Sequence, residues 1–192
     1  MLPRRADAWE QRALNQVATV VGGGTPDTNN PNYWNGDIDW YSPSEIGSDV
    51  YATKSRKQIT SLGLARSSAK LLPANITVLF TSRAGIGDMA ILRRDGTTNQ
   101  GFQSLVLGDK VDTYFVYSLG FKVKRYAEKL ASGSTFLEIS PTLLGSISLL
   151  FPSLPEQRAI GSFFSRLDAL IALHQREPIS TKKGAHDGSK SR

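Results

Sequence analysis

One long amphipathic stretch sets the first limit on how this chain folds. Ser153-Leu154-Pro155-Glu156 carries a capping-box pattern, with serine and glutamate three apart and each able to satisfy the other's backbone N–H. The proline falls in the first turn, where a missing N–H costs little. Ile160, Phe164, Leu167, Ile171 and His174 then follow at steps of four and three, the period of a coiled-coil seam. Phe163 and Leu170 widen the stripe. Pro178 is expected to stop the helix. The pattern predicts one helix over residues 153–177, about 35 Å long at 1.5 Å per residue. Its apolar face has two readings: packing on its own domain, or a seam for a second helix. The width of the stripe lets one side serve each purpose.

Residues 1–152 are cut into shorter pieces and read as a mixed globular domain. Trp9 to Val21 is a short helical or extended piece, followed by a turn-rich loop from Gly22 to Asn32. Ile38 to Tyr41 and Ile76 to Thr81 read as strands by alternation and by β-branched and aromatic content. Met89 to Leu92, Gln103 to Leu107 and Ile147 to Phe151 read as three more. Turn residues Asp95-Gly96 and Asn99 to Gly101 lie between the first two of these. One helix interrupts the strands: Phe115, Leu119, Val123, Tyr126 and Leu130 repeat at helical spacing. Asp112 or Thr113 can cap it and Gly133 can end it. Strands around an inserted helix predict an α+β class: a β-rich domain followed by a coiled-coil-like helix. Residues 178–192 read as a disordered or aberrant tail.

Composition narrows the chemistry. The chain has no cysteine, which excludes disulfides and thiolate sites. Its formal net charge of +6 suits a polyanionic partner, although Lys182, Lys183, Lys190 and Arg192 in the tail inflate that figure. The opening residues lack the apolar core of a signal peptide, and no run reaches the ~20 apolar residues of a membrane span. A cytoplasmic protein is expected.

Catalytic patterns are missing from the sequence. The two histidines, His174 and His186, lie on the late helix and in the tail, so neither a metal pair nor a nucleophile–base pair is evident. Asn30-Pro31-Asn32-Tyr33 resembles the N-P-P-[YF] loop of amino-methyltransferases, but has Asn at its third position and no glycine-rich cofactor loop to accompany it. Asp88, Asp95 and Glu138 have no Asp…Glu-x-Lys arrangement around them. A compact methyltransferase or nuclease is the rival reading, and binding of S-adenosylmethionine by the isolated chain separates the two.

Several phrases, in order, resemble one family. They are Gly23-Gly24-Thr25-Pro26, Asn30-Pro31, Tyr33 through Ile38 and Trp40; then Ile59 to Leu64, Ser67 to Pro73 and Thr81 to Gly87; then Asn99 to Leu105, Ala131 to Ser140 and Phe151 to Gln157. Over residues 15–177 the chain is similar to a Type I restriction-modification specificity subunit. The resemblance implies residues 1–152 as a target recognition domain that binds double-stranded DNA, and residues 153–177 as a conserved spacer or dimerisation helix. It also implies a division of labour. Specificity subunits hold two recognition domains apart on long helices, each reading one half of a split target. S-adenosylmethionine, ATP and Mg belong to the partner modification and restriction subunits, and no cofactor belongs to this chain. The sequence departs from the pattern in holding one recognition domain and a shorter helix, so a truncated, assembly-defective remnant is a further alternative.

Candidate DNA contacts follow from residue type. Lys122, Arg125 and Lys129 form a basic stripe on the inserted helix, suited to phosphates or merely to the helix dipole. Lys54, Arg56 and Lys57 form a second cluster in a polar loop. Arg83 follows a strand among small residues, which fits either base reading or a tight turn. Arg93, Arg94, Asn99, Gln100 and Gln103 flank a hairpin, where arginine suits guanine and amides suit adenine. Ser132, Ser134 and Thr135 are candidate phosphate donors.

Overall fold

The computed structural model describes residues 8–83, 85–132 and 137–176. Ser134, Thr135, Gly133, Pro178 and the tail lie outside the described residues. The mixed architecture matches the expected α+β class. Strand β1 (Glu10–Ala13) leads through a one-turn helix α1 (Leu14–Val17) into β2 (Ala18–Gly22). A 3₁₀ turn at Pro31–Tyr33 precedes β3 (Trp34–Tyr41), and a second at Pro43–Glu45 precedes β4 (Tyr51–Ala52) and β5 (Lys57–Ile59). Helix α2 (Ser61–Ala65) precedes β6 (Thr77–Phe80), β7 (Met89–Leu92), β8 (Gly96–Thr98) and β9 (Gln103–Leu107). Three helices then follow, α3 (Thr113–Ser118), α4 (Gly120–Leu130) and α5 (Pro141–Ser146), before β10 (Ser148–Phe151) and the long α6 (Leu154–Arg176).

The strands form three sheets: a five-stranded sheet in the order β2-β9-β6-β7-β4, a small sheet β5-β3-β8, and an antiparallel ribbon of β1 with β10. The five-stranded sheet is covered on both sides. One face packs Val78, Phe80 and Leu105 against Leu14, Phe115, Val123 and Leu144 from the helices. The other packs Leu79, Ala90 and Leu92 against Tyr41, Leu72 and Phe102. At about 25 cal/mol per Å² of apolar area removed from water, these two layers are the main source of stability.

Local chemistry explains the element ends. Asp112 accepts the Phe115 N–H at 2.8 Å and caps α3. Thr60 and Ser140 cap α2 and α5 in the same way, accepting from Gly63 at 3.0 Å and Leu143 at 3.2 Å. The glycine-rich loop after β2 lies where side chains do not fit: a Cβ on Gly23 or Gly24 would meet the backbone of Asn99 or of Ser68 and Ala69. Trp40 Nε1 holds this loop by donating to Gly24 O at 2.9 Å, and Trp34 meets Trp40 edge-on at 5.2 Å.

Four expectations are corrected. The inserted helix is two helices, because the chain turns at Leu119 (ψ 0°) before Gly120. Ser118 Oγ bonds back to Phe115 O at 2.7 Å, and glycine resists helix continuation there. Asp95-Gly96 does not merely turn, because Gly96 opens β8, which pairs in parallel with Asp39 to Tyr41 of β3. Lys57 is no loop residue: it begins β5. The Glu156 carboxylate accepts from Trp9 Nε1 at 3.1 Å, across the chain rather than within its own first turn.

The long helix does not stand apart from the domain. It packs against α3 through Gln157, Gly161 and Ser165, all buried or half-buried. Gln157 donates to Pro152 O at 2.9 Å and accepts Asp112 N–H at 3.1 Å. A Cβ on Gly161 would collide with the Asp112 carboxylate that caps α3. Gly161→Leu is therefore expected to lower stability by about 1–3 kcal/mol through overpacking, seen as a lower urea midpoint, whereas Ser162→Ala on the exposed side leaves it unchanged.

Candidate nucleic-acid interface

Helix α4 divides its perimeter cleanly. Val123 and Ala127 are buried, whereas Lys122, Arg125 and Lys129 are exposed. These three cations line one open groove of about 470 Å³ between α4 and the β1–β10 ribbon, together with Gln11, Tyr126 and Leu150. None of the three has an ion-pair partner among the described residues. Arg125 instead lies 5.9 Å from the Phe121 ring centroid. Lys124, on the opposite side of the helix, is neutralised by Asp88 at 3.1 Å.

A second place is the loop end of the five-stranded sheet. Ser82 N donates to Gly101 O at 2.8 Å, and Ile139 N donates to Ser82 O at 3.1 Å, which joins three segments. Ser132 and Glu138 exchange backbone hydrogen bonds at 3.1 Å, and Arg83 Nη1 lies 3.9 Å from the Glu138 carboxylate. Arg83, Asn99, Ser44 and Asp88 line one cleft of about 470 Å³. Gln100, the next residue along, is exposed and accepts from the Thr25 hydroxyl. Of the residues expected from sequence, Arg83, Asn99, Gln100 and Ser132 therefore come to this end. Ser44, Asp88 and Thr25 were not among them: long-range packing brings Ser44 and Thr25 there, and the turn between β6 and β7, closed by Thr81 and Asp88, brings Asp88.

The other candidates lie elsewhere. Lys54, Arg56 and Lys57 are exposed around the small sheet, with Arg56 N donating to Glu45 at 2.6 Å and Lys57 Nζ 5.6 Å from the Trp34 ring. Arg94 is exposed, and Arg93 is engaged by Asn75 at 3.1 Å and stacked 4.7 Å from Tyr51. Gln103 is a correction: it is 9% exposed on β9, inside a sheet covered on both faces, and is not presented for base reading. The Asn30-Pro31-Asn32-Tyr33 loop is a 3₁₀ turn capped by Asn30 Oδ1 and tied to Thr60 through Asn32 O.

The face of α6 away from α3 carries Phe163, Leu167 and Leu170, all exposed, while Phe164, also exposed, lines a cleft with Tyr114, Tyr117 and Asp168 on the α3 side, and the exposed Ile171 stands at the edge between them. His174 is exposed beside them, its Nδ1 2.9 Å from Leu170 O. Ile160 departs from the expected seam: it is half-buried against the domain's own core. On the opposite flank, Tyr114 donates to Asp168 at 2.6 Å. Burial and then the Asp168 carboxylate push the Tyr114 phenol well above its ordinary range, and Tyr117 shifts the same way for the same causes. No group of three or more histidine, cysteine or carboxylate side chains suited to a metal lies among the described residues.

Comparison with known proteins places this architecture. A model of the Type I restriction modification DNA specificity domain matches residues 6–182. The chain belongs to that family. It is 34% identical over 168 residues to the Type I restriction enzyme MjaIX specificity subunit of Methanocaldococcus jannaschii, covering 85% of this chain and 38% of that one. It is 29% identical to the EcoR124I/EcoR124II specificity subunit of Escherichia coli, covering 84% and 41%. The chain thus spans about two fifths of the length of these curated relatives. The fold matches the HsdS subunit from Thermoanaerobacter tengcongensis with a TM-score of 0.64 at 16% identity, over 92% of this chain and 40% of that one. It also matches a chain from a structural study of complex assembly and conformational transition in the type I R-M system, with a TM-score of 0.70 at 20% identity, over 92% and 41%.

The exposed cations carry little of the fold. The Arg83–Glu138 contact is long and both side chains are more than a third exposed, so screening leaves it weak. Arg83→Ala, and the triple change of Lys122, Arg125 and Lys129 to Ala, are each expected to shift unfolding free energy by less than about 1 kcal/mol. A denaturation curve for each variant checks this. A loss of several kcal/mol would assign those side chains to the fold.

Proposed function

We propose that this chain is the DNA-reading half of a Type I specificity subunit, recognising one part of a split duplex target without catalysing a reaction. The observation that carries this reading is the α4 groove, where Lys122, Arg125 and Lys129 share one open surface free of ion pairs among the described residues. A row of unpaired cations neutralises phosphates and releases their counterions. Positioning contacts fall to this row, with Lys54, Arg56, Lys57 and Arg94 as further phosphate contacts, and base contacts fall to the loop end around Arg83 and Gln100. Methyl transfer and cleavage belong to separate modification and restriction subunits, which hold S-adenosylmethionine, ATP and Mg. The complex acts in the cytoplasm, where its substrate is. Binding to random duplexes at rising salt tests the reading. Changing Lys122, Arg125 and Lys129 to Ala is expected to weaken binding to every sequence and to flatten the salt slope by roughly two to three. An unchanged slope takes the stripe out of the interface. Failure to bind any duplex at low salt favours an assembly-defective remnant.

The same reading makes α6 a pairing helix. Its exposed stripe supports pairing with a second copy of this chain, which would set two identical recognition domains about a two-fold axis and give a symmetric split target. Sedimentation at micromolar concentration is expected to show a dimer that Leu167→Asp dissociates. A monomer at every concentration, or a dimer indifferent to a charge at Leu167, would end the idea.

A further inference from the structure

The loop-end cleft presents hydrogen-bond donors selectively. Asn99 Oδ1 accepts the Gly101 N–H at 2.8 Å, and Gln100 Oε1 accepts the Thr25 hydroxyl. The Asn99 oxygen is thereby turned toward its own loop and the Gln100 oxygen toward the glycine-rich loop after β2. Neither amide nitrogen donates to a protein acceptor among the described residues, so both NH₂ groups remain available. The Arg83 guanidinium shares the cleft with Asn99 and is only loosely held by Glu138 at 3.9 Å.

These constraints separate the bases. A carboxamide reads adenine with both ends at once, its oxygen accepting from N6 and its nitrogen donating to N7. Asn99 and Gln100 each have one lone pair of that oxygen already engaged, which leaves their nitrogens as the freer ends. Guanine presents two acceptors, N7 and O6, on its major-groove edge, and its paired cytosine presents the N4 donor. Asp88 lines the same cleft, oriented by Lys124 at 3.1 Å, and supplies a carboxylate acceptor for such a donor. A carboxylate there also disfavours a phosphate, which separates this cleft from the α4 groove.

Resting on the DNA-recognition reading above, we propose that Arg83, Asn99 and Gln100 read a guanine of a G·C pair in the major groove. Thr25 and the Gly101 amide bias that choice against adenine by turning the amide oxygens toward the protein and occupying one lone pair of each. The test is selection of sites from random duplexes by the full chain at low salt, repeated with variants. The selected site is expected to contain a G·C pair at which 7-deazaguanine weakens binding roughly tenfold. Arg83→Ala abolishes the preference at that position and leaves the others intact, whereas Arg83→Lys weakens it. Thr25→Val frees the Gln100 oxygen and raises acceptance of adenine there. A selected site whose Arg83-dependent position is adenine, or whose consensus is unmoved by Arg83→Ala, overturns this proposal alone. Absence of any duplex binding overturns it together with the reading it rests on.

Discussion

Burial of strand β6 on both faces is the constraint from which the rest of the architecture follows. Thr77, Val78, Leu79 and Phe80 are all fully enclosed. A strand in that position needs two apolar covers, because each successive side chain points to the opposite face. The helices supply one cover, and the segment around Tyr41, Leu72 and Phe102 supplies the other. The functional geometry is a by-product of the same pairing. Because β9 runs antiparallel to β6, the C-terminal end of β6 lies beside the N-terminal end of β9. Thr81 bridges Phe102 there, and the loops carrying Arg83 and Asn99 emerge side by side. The candidate cleft, built from separate segments of the chain, thus needs no contact beyond those that hold the sheet.

What was legible in the sequence was short-range. Met89 to Leu92 and Gln103 to Leu107 are strands as β-branched and apolar content predicts. Residues 154–176 are helical as the apolar period predicts. The small helix α5 was readable too, since Ser140-Pro141 is a cap followed by proline at the first helical position, but its brevity hid it. Pairing between distant segments was not legible. Strand β8 reads locally as a turn and becomes a strand only because β3 offers a parallel edge, with Thr97 Oγ1 donating to Asp39 O at 2.9 Å.

The candidate site shows the same division. Residue type marked arginines, lysines and amides as possible contacts, and orientation separates the exposed ones from the enclosed ones. Gln100 and Gln103 lie three residues apart in one motif. The first is exposed on a loop, and the second is enclosed because β9 is covered on both faces. Lys122 and Lys124 differ in the same way on one helix: two positions apart, they point to nearly opposite sides, one into an open groove and the other onto Asp88.

The two readings of the α6 stripe turn out to be compatible because the helix perimeter is shared. Positions 157, 161, 165 and 168 repeat at helical spacing and face α3, whereas 163, 167 and 170 face outward. The inward side is largely polar. Burying the Gln157 amide without partners would cost roughly 2–7 kcal/mol, and both ends of that amide are satisfied, by Pro152 O and by the Asp112 N–H. Polar contacts of this kind are directional, so they fix the angle at which α6 leaves the domain. Apolar contacts are not directional, and they dominate the outward side. In the proposed pairing, orientation would come from the joint with α3 and affinity from the free stripe. A helix laid on that stripe would be held at an angle to the loop end of the sheet that the domain itself has set.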